Sequence, residues 1–437
     1  MSVRELALSM LTECELEGKY VNLILNSRRT DKLSAEERAS LTALLYTVTE
    51  RKHTYDYYIS AVAKRSLSDI DLHTLNILRL GVCQIVGMSA IPDFAAVNES
   101  VKLARNPGER SFVNGVLRSI VRMKESDSLP MPDRKKSEAR YLSVLHSFPL
   151  WLTKHFISLV GEADADRLLA EFNKHDTTDI TVNTLRTTRE DLLSRLRDAG
   201  ISAEPSQLSP ISIRILGSCD PRRLPGFAEG HFFVQDAASA VSALALMPAA
   251  DSRILDVCAC PGGKSFAASI ISGGASVLAL DLHESKLSLI TSGAERLGLD
   301  IRAEVQDATM PREELYASFD RVICDCPCSG LGVLGKKSDM RYRDPASLSE
   351  LPELQYRILE QSARYLASGG YMVYSTCTLN PDENERVVER FLEGHPDFAC
   401  ESFKIGDLAA DGGMLTLYPH LHGTDGFFVA KLKRVHT

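Results

Sequence analysis

The stretch Ile254-Leu-Asp-Val-Cys-Ala-Cys-Pro-Gly-Gly-Lys-Ser265 decides what the second half of this chain folds into. An apolar run enters a turn with two adjacent glycines, and a helix start follows, so it reads as strand, turn and helix. Outward from it, strands are predicted at 253–257, 276–282, 301–305, 320–324 and 371–375, with helices such as 286–296 and 354–366 between them. Strands alternating with helices predict a mostly parallel sheet covered on both faces. Residues 414–418 and 427–432, around the turn Gly423-Thr-Asp-Gly426, read as a closing antiparallel hairpin.

The front of the chain, 1–128, reads as all helix. Asp71 is placed to cap a helix whose apolar residues Leu72, Leu75, Leu78, Val82 and Ile85 recur at three- and four-residue steps. Gly87 and Pro92 mark its end. A further helix is expected from Arg110, with Phe112, Val116 and Ile120 on one side. No polar cluster suited to catalysis occurs here, which predicts a docking or binding module. Residues 129–140 combine prolines and charge and read as a linker. A small α+β subdomain is expected over 141–235. Its helical periodicity runs through Trp151 and Leu169, followed by a strand at 179–184, a helix at 188–199 and a half-buried strand at 211–215. The α/β domain then covers 236–437.

At 437 residues the chain is expected to form two or three domains, and 44% hydrophobic with 25% charged residues marks a soluble globular protein. No apolar run is long enough to span a bilayer. The first residues run quickly into Glu13, Glu15 and Glu17, unlike a signal peptide, so a cytoplasmic location is expected. A net charge of −8 does not advertise nucleic-acid binding, but local charge governs phosphate contact. Lys102, Arg105, Arg110, Arg118, Arg122 and Lys124 stand against Glu109 alone, and Arg134, Lys135 and Lys136 form a second basic group. Either group fits a solvated helix face as well as an RNA contact.

Ligands of a doubly wound sheet lie at the carboxyl ends of its strands. Gly262 and Gly263 let backbone approach a ligand closely. Asp281 ends the next strand, where a carboxylate can hold ribose hydroxyls, and Asp307 follows the third, placed to reach a base. The glycine spacing does not match a phosphate loop, which points to a cofactor with adenosine but no phosphates. Six of ten cysteines, Cys258, Cys260, Cys324, Cys326, Cys328 and Cys377, crowd this region. Their one-residue spacings lack the two-residue knuckle of zinc sites, so no metal is expected. Cys324 suits a small core hydrophobe, as do Cys258 and Cys260. Cys328 and Cys377 suit it less, since each sits just past a strand end among Pro, Ser, Gly and Thr.

Cys258-Ala-Cys-Pro-Gly-Gly-Lys264, Asp325-Cys-Pro-Cys-Ser-Gly330 and Ser375-Thr-Cys-Thr-Leu-Asn-Pro-Asp-Glu-Asn384 resemble the three main motifs of the RNA cytosine-5 methyltransferases. Gln235-Asp-Ala-Ala-Ser239 and Pro419-His-Leu-His-Gly-Thr-Asp-Gly-Phe-Phe428 are similar to further segments of that family, and the helical front, with Phe112-Val-Asn-Gly-Val-Leu-Arg118, resembles a NusB-type RNA-binding domain. This fusion resembles the bacterial enzymes that modify small-subunit (16S) rRNA. The chain departs from the family at Cys260 and Cys326, where alanine is common, and at Gly335, where a base is more frequent.

The resemblance implies an all-α NusB-like domain, a small α+β (RRM-like) subdomain and a Rossmann-like class I methyltransferase domain. It implies S-adenosyl-L-methionine as cofactor, held by Cys258, Ala259, Cys260, Pro261, Gly262, Gly263, Lys264, Asp281, Asp307 and Asp325. Cys377 is then the nucleophile and Cys328 the thiol of product release, with Asp325 facing the reacting base. Lys264 either favours thiolate or holds the base, or only solvates the helix start. The expected partner is small-subunit rRNA, with no DNA and no membrane, and the expected state is a monomer. The alternatives are the same chemistry on tRNA or another rRNA site, and an inactive RNA-binding scaffold. Retention of both cysteines argues against the scaffold.

Overall fold

The computed structural model describes residues 2–174, 177–217 and 219–435. Met1 and Thr437, the outer bounds of the expected domains, lie outside the described residues. By compactness the chain forms two units, Met1–Asn173 with Lys337–Arg343, and Lys174–Lys336 with Asp344–Thr437.

The first unit is helical. Ser2 and Ser34 open its helices Val3–Glu17 and Ala35–Ala63 through reciprocal capping with Glu5 and Glu37. Asp71 caps Leu72–Val82 as expected, accepting from the His73 and Thr74 amides. Leu75, Leu78, Val82 and Ile85 are buried, while Leu72 is half-buried. The helix expected from Arg110 begins earlier, at Pro107, with Asn106 as cap. Proline reads as a breaker in sequence, yet at the first helical position its missing N–H costs nothing.

The helices Glu138–His146, Leu150–Val160 and Glu162–Glu171 also belong to this unit. Thr54 Oγ1 donates to the Val144 carbonyl at 2.6 Å, and Ser143 Oγ lies 2.7 Å from His53 Nε2. The irregular chain around 129–137 therefore lies inside a compact unit, because the helix Glu138–His146 packs against Ala35–Ala63. The segment Lys337–Arg343, from far along the chain, completes the unit. Its Arg341 is fully buried, with the guanidinium 4.0 Å from the Phe148 ring centre.

In the second unit a four-stranded antiparallel sheet has the order Ala203–Pro205, Ser212–Leu216, Thr177–Val182, Phe232–Val234. The helix Arg189–Asp198, capped by Thr188, packs Leu192 and Leu196 against Ile180, Ile213 and Phe232. Its two three-residue strands escape sequence reading because they are too short to show alternation.

The large sheet has eight strands. Along it lie Phe398–Cys400, Phe427–Arg434, Leu366–Thr376, Phe319–Asp325, Ile254–Asp256, Val277–Asp281 and Ile301–Val305, and Met414–Leu417 pairs with Phe427–Arg434. The last five in spatial order pair in parallel, and the expected hairpin joins antiparallel. The chain starts at Ile254–Asp256, moves outward on one side, then returns to Phe319–Asp325 on the other. The order thus reverses beside Ile254–Asp256, where a doubly wound sheet opens its ligand crevice.

Candidate active site

The quoted turn delivers its residues to that crevice. Gly262 has φ +109°, and a Cβ there would lie 2.4 Å from the Phe266 ring, so only glycine fits. The helix Gly263–Ile271 begins directly after it. A cavity of about 180 Å³ opens here, lined from one side by Asp256, Cys258, Ala259, Cys260, Pro261, Gly263, Lys264 and Asp325. Val234, Gln235, Asp236 and Ser239 line the other side.

Asp281 and Asp307 stand on adjoining strand ends but do not line this cavity. Asp281 accepts from the Cys260 amide at 3.1 Å and the His283 amide at 3.0 Å, which fixes the turn. Asp307 accepts from the Thr309 hydroxyl at 2.7 Å and its amide at 2.9 Å, and these bonds hold its carboxyl below the usual range.

Parallel pairing sets Asp325 opposite Ser375. Cys328 lies three residues past the first strand end, Cys377 sits just past the end of its partner, and their sulfurs are 3.0 Å apart. Both are half-buried. The two loops are stitched together by Glu383, which is fully buried and accepts from the Ser329 amide at 2.8 Å and from Gln355 Nε2 at 2.9 Å. Ser329 and Thr378 hydroxyls meet at 2.7 Å, and Asn384 donates to the Thr378 carbonyl at 3.0 Å. The hydrogen bond with Cys377, then burial, pushes the Cys328 thiol well up, so it keeps its proton at neutral pH.

Lys264 Nζ donates to Asp325 at 2.7 Å, and Ser375 Oγ holds the other Asp325 oxygen at 2.7 Å. Burial opposes the lysine's charge, but Asp325, Asp256 and Cys377 more than offset it and raise its pKa. Lys264 is thus ion-paired to Asp325 within the crevice. Asp256 is nearly inaccessible, and burial, with Asp325 nearby, pushes its carboxyl up to about 7. One of its oxygens accepts from Ser265 at 2.7 Å, and Oδ1 has no partner. A buried oxygen without a donor, on the wall of a cavity that Gly263 also lines, suits a ligand bearing N–H or O–H groups.

Several residues join the site to which sequence reasoning assigns no individual role: Asp256, Gln235, Asp236, Ser375 and Glu383. Asp256 has a signal, since it ends the strand immediately before the glycine turn. Glu383 falls within the Ser375–Asn384 motif, but its role is hidden there because it depends on a bond across two loops.

A doubly wound sheet with a glycine turn at its switch point is a Rossmann-like domain that takes a nucleotide-type cofactor. Models of three families match the chain: the NusB family at 1–122, the RsmF/B-like ferredoxin-like domain at 148–221, and 16S rRNA methyltransferase RsmB/F at 243–433. A Bacillus subtilis (strain 168) protein named probable ribosomal RNA small subunit methyltransferase B is 35% identical over 99% of both chains. A Synechocystis protein of the same name is 35% identical over 99% of this chain and all of its own. The crystal structure of NSun6 from Pyrococcus horikoshii with SFG shares the fold at a TM-score of 0.60, with 22% identity over 67% of this chain and 100% of that one. The chain belongs to the ribosomal RNA small subunit methyltransferase B family.

Asp256 gives the site a pH signature. Between about 4, the value for an unfolded carboxyl, and about 7 the folded chain holds a proton that the unfolded chain has lost. Its contribution to stability therefore falls as pH rises through that window. Asp256→Asn keeps an acceptor for Ser265 and removes the fall. In urea unfolding without added ligand, the variant gains about 3 kcal/mol on the native chain between pH 5 and 8. Parallel stability curves refute the assignment.

Proposed function

We propose that this chain transfers a methyl group from S-adenosylmethionine to C5 of one cytosine in small-subunit rRNA, through a covalent bond between Cys377 and C6 of the base. The observation that carries this reading is the 3.0 Å approach of Cys328 and Cys377 beside the Lys264–Asp325 pair. The backbone from Cys258 to Lys264, with Asp281, Asp307 and Asp325, would hold the cofactor. Bound there, S-adenosylmethionine supplies an electrophilic methyl group.

Cytosine C5 is a poor nucleophile until a thiolate adds to C6. Lys264, whose cation lies near Cys377, favours the thiolate. Cys377 sulfur forms the S–C6 bond, and the ring electrons move so that C5 becomes enamine-like and takes the methyl. Release then breaks two bonds. The C5 proton leaves to solvent, its electron pair restores the C5–C6 double bond, and Cys377 departs as thiolate. Cys328, protonated and in contact, donates its S–H to the departing sulfur. Asp325, held by Lys264 and Ser375, faces the base. The target cytosine must be unstacked to enter.

In this reading the NusB-like domain over 1–128 and the small subdomain over 141–235, joined by 129–140, bind and present RNA to the catalytic domain over 236–437. The enzyme acts as a cytoplasmic monomer. No described helix is long and apolar enough to cross a membrane.

The direct test is label transfer from S-adenosylmethionine to unmodified small-subunit rRNA, with tRNA and DNA alongside, and mapping of the modified base. Label on one rRNA cytosine is expected; label on tRNA alone overturns the substrate. Cys377→Ala should abolish transfer yet still bind cofactor in calorimetry, and normal turnover would sink its role as nucleophile. Cys328→Ala should accumulate a protein–RNA adduct that survives a denaturing gel. Its absence, with the Cys377 variant inactive, assigns release to another group.

A further inference from the structure

A second cavity, of about 340 Å³, lies in the helical unit and takes no part in the chemistry above. Its floor is apolar, with Leu11, Val21 and Val48. Its walls carry two aromatic rings, Tyr20 and Tyr342, and three cations, Lys19, Lys52 and Arg343. Lys52 Nζ sits 4.7 Å from the Tyr342 ring centre, and the Arg343 guanidinium 5.7 Å from that of Tyr20. Two carboxylates, Glu15 and Asp339, also line it. Asp339 accepts from the Val21 amide at 3.2 Å, and Glu15 takes Lys52 at 3.2 Å.

This combination discriminates among ligands. Lys19 is already paired with Glu13 and Glu17, and Lys52 with Glu15, so with Asp339 also in the wall the cavity's charge is balanced and favours a neutral planar group over a phosphate. A volume in the range of small-ligand pockets admits one planar group, not a helix. Aromatic faces with cations beside them suit the π-face of a nucleobase, which stacks on tyrosine and on the guanidinium plane alike. Carboxylates only accept hydrogen bonds, so they select a base edge that donates. Guanine presents a ring N–H and an amino group side by side, matching one carboxylate; uracil presents a single N–H.

We propose that this cavity binds one unstacked, guanine-type base of the substrate RNA. The proposal rests on the reading of the chain as an RNA methyltransferase. Part of the wall, Asp339, Tyr342 and Arg343, comes from the segment Lys337–Arg343, which begins nine residues after Cys328. The segment that completes the cavity is thus a direct continuation of the loop that carries the release thiol. An occupant that orders this wall orders the root of that loop through the chain itself.

The test uses the full chain and short oligoribonucleotides carrying 6-thioguanosine or 4-thiouridine as photoreactive bases, with crosslinked peptides mapped by mass spectrometry. Crosslinks from 6-thioguanosine to the peptides holding Tyr20 or Tyr342 are expected, and fewer from 4-thiouridine. Tyr20→Ala should lose them and raise the KM for rRNA roughly tenfold. Tyr20→Phe, which keeps the ring, should restore both, and calorimetric affinity for the methyl donor should not move. Crosslinks confined to other peptides overturn the proposal, as does an unchanged KM in Tyr20→Ala. Protection of Tyr20 by a protein partner with RNA absent also overturns it. If the native chain methylates no rRNA yet crosslinks here, the catalytic reading fails and the base site stands. If it methylates rRNA without crosslinks here, the reverse holds.

Discussion

The site depends on one register. Parallel pairing of Phe319–Asp325 with Leu366–Thr376 sets Asp325 opposite Ser375, and every later contact between the two loops builds on it. A slip of one residue would turn each side chain to the opposite face of the sheet. Asp325 would lose Ser375, and the thiols would no longer converge. The register is secured from below by burial on both faces, with Val322, Cys324, Met372 and Tyr374 packed on one and Ile323 and Val373 on the other. It is secured from above by Glu383, whose carboxylate bridges an amide of one loop and the helix behind it.

Charge in the crevice follows from scarcity. Lys264 is shared by Asp325, Asp256 and Cys377, and burial penalises every uncompensated ion. The lysine bonds Asp325 directly. Asp256, deeper and without its own cation, resolves the conflict by keeping its proton up to about pH 7. The cavity wall is therefore polar without being strongly anionic near neutral pH.

Much of this is legible in the sequence because it is local. Strand–turn–helix at 254–265, the alternation after it, the Asp71 cap and the closing hairpin are written in periodicities of two and of three to four residues. The cysteines past two strand ends can be singled out by their neighbours alone. The illegible part is long-range. Nothing near Tyr141 says that the helix Glu138–His146 packs on Ala35–Ala63, nor that seven residues after Lys336 leave the catalytic unit for the helical one. Leu366–Thr376 begins five residues before its predicted start, because Leu366 already pairs with Phe319, while Ser368-Gly369-Gly370, with Gly369 at φ +77°, forms an irregularity before the pairing resumes at Tyr371.

The tail shows why a site centred on 254–384 needs residues beyond it. Strand Phe427–Arg434 pairs antiparallel with the strand that leads to Cys377, and its entry loop closes over the Cys328 loop. The Gly426 amide donates to the Gly332 carbonyl at 2.8 Å, and the Gly332 amide to the Cys377 carbonyl at 3.0 Å. A Cβ on Gly332 would lie 1.9 Å from the Gly426 oxygen, so the approach exists only between glycines. Lys336 then ties Asp425 of the tail, at 2.7 Å, to Asp236 on the cavity wall, at 2.6 Å. One lysine cannot neutralise two buried carboxylates. Asp236, also held by Thr424, stays below its usual value, and burial beside it pushes Asp425 up to about 8. The tail carboxyl thus joins the bridge as the protonated partner near neutral pH, and the loop bearing Cys328 is held at two points beyond the thiol, by backbone at Gly332 and by charge at Lys336.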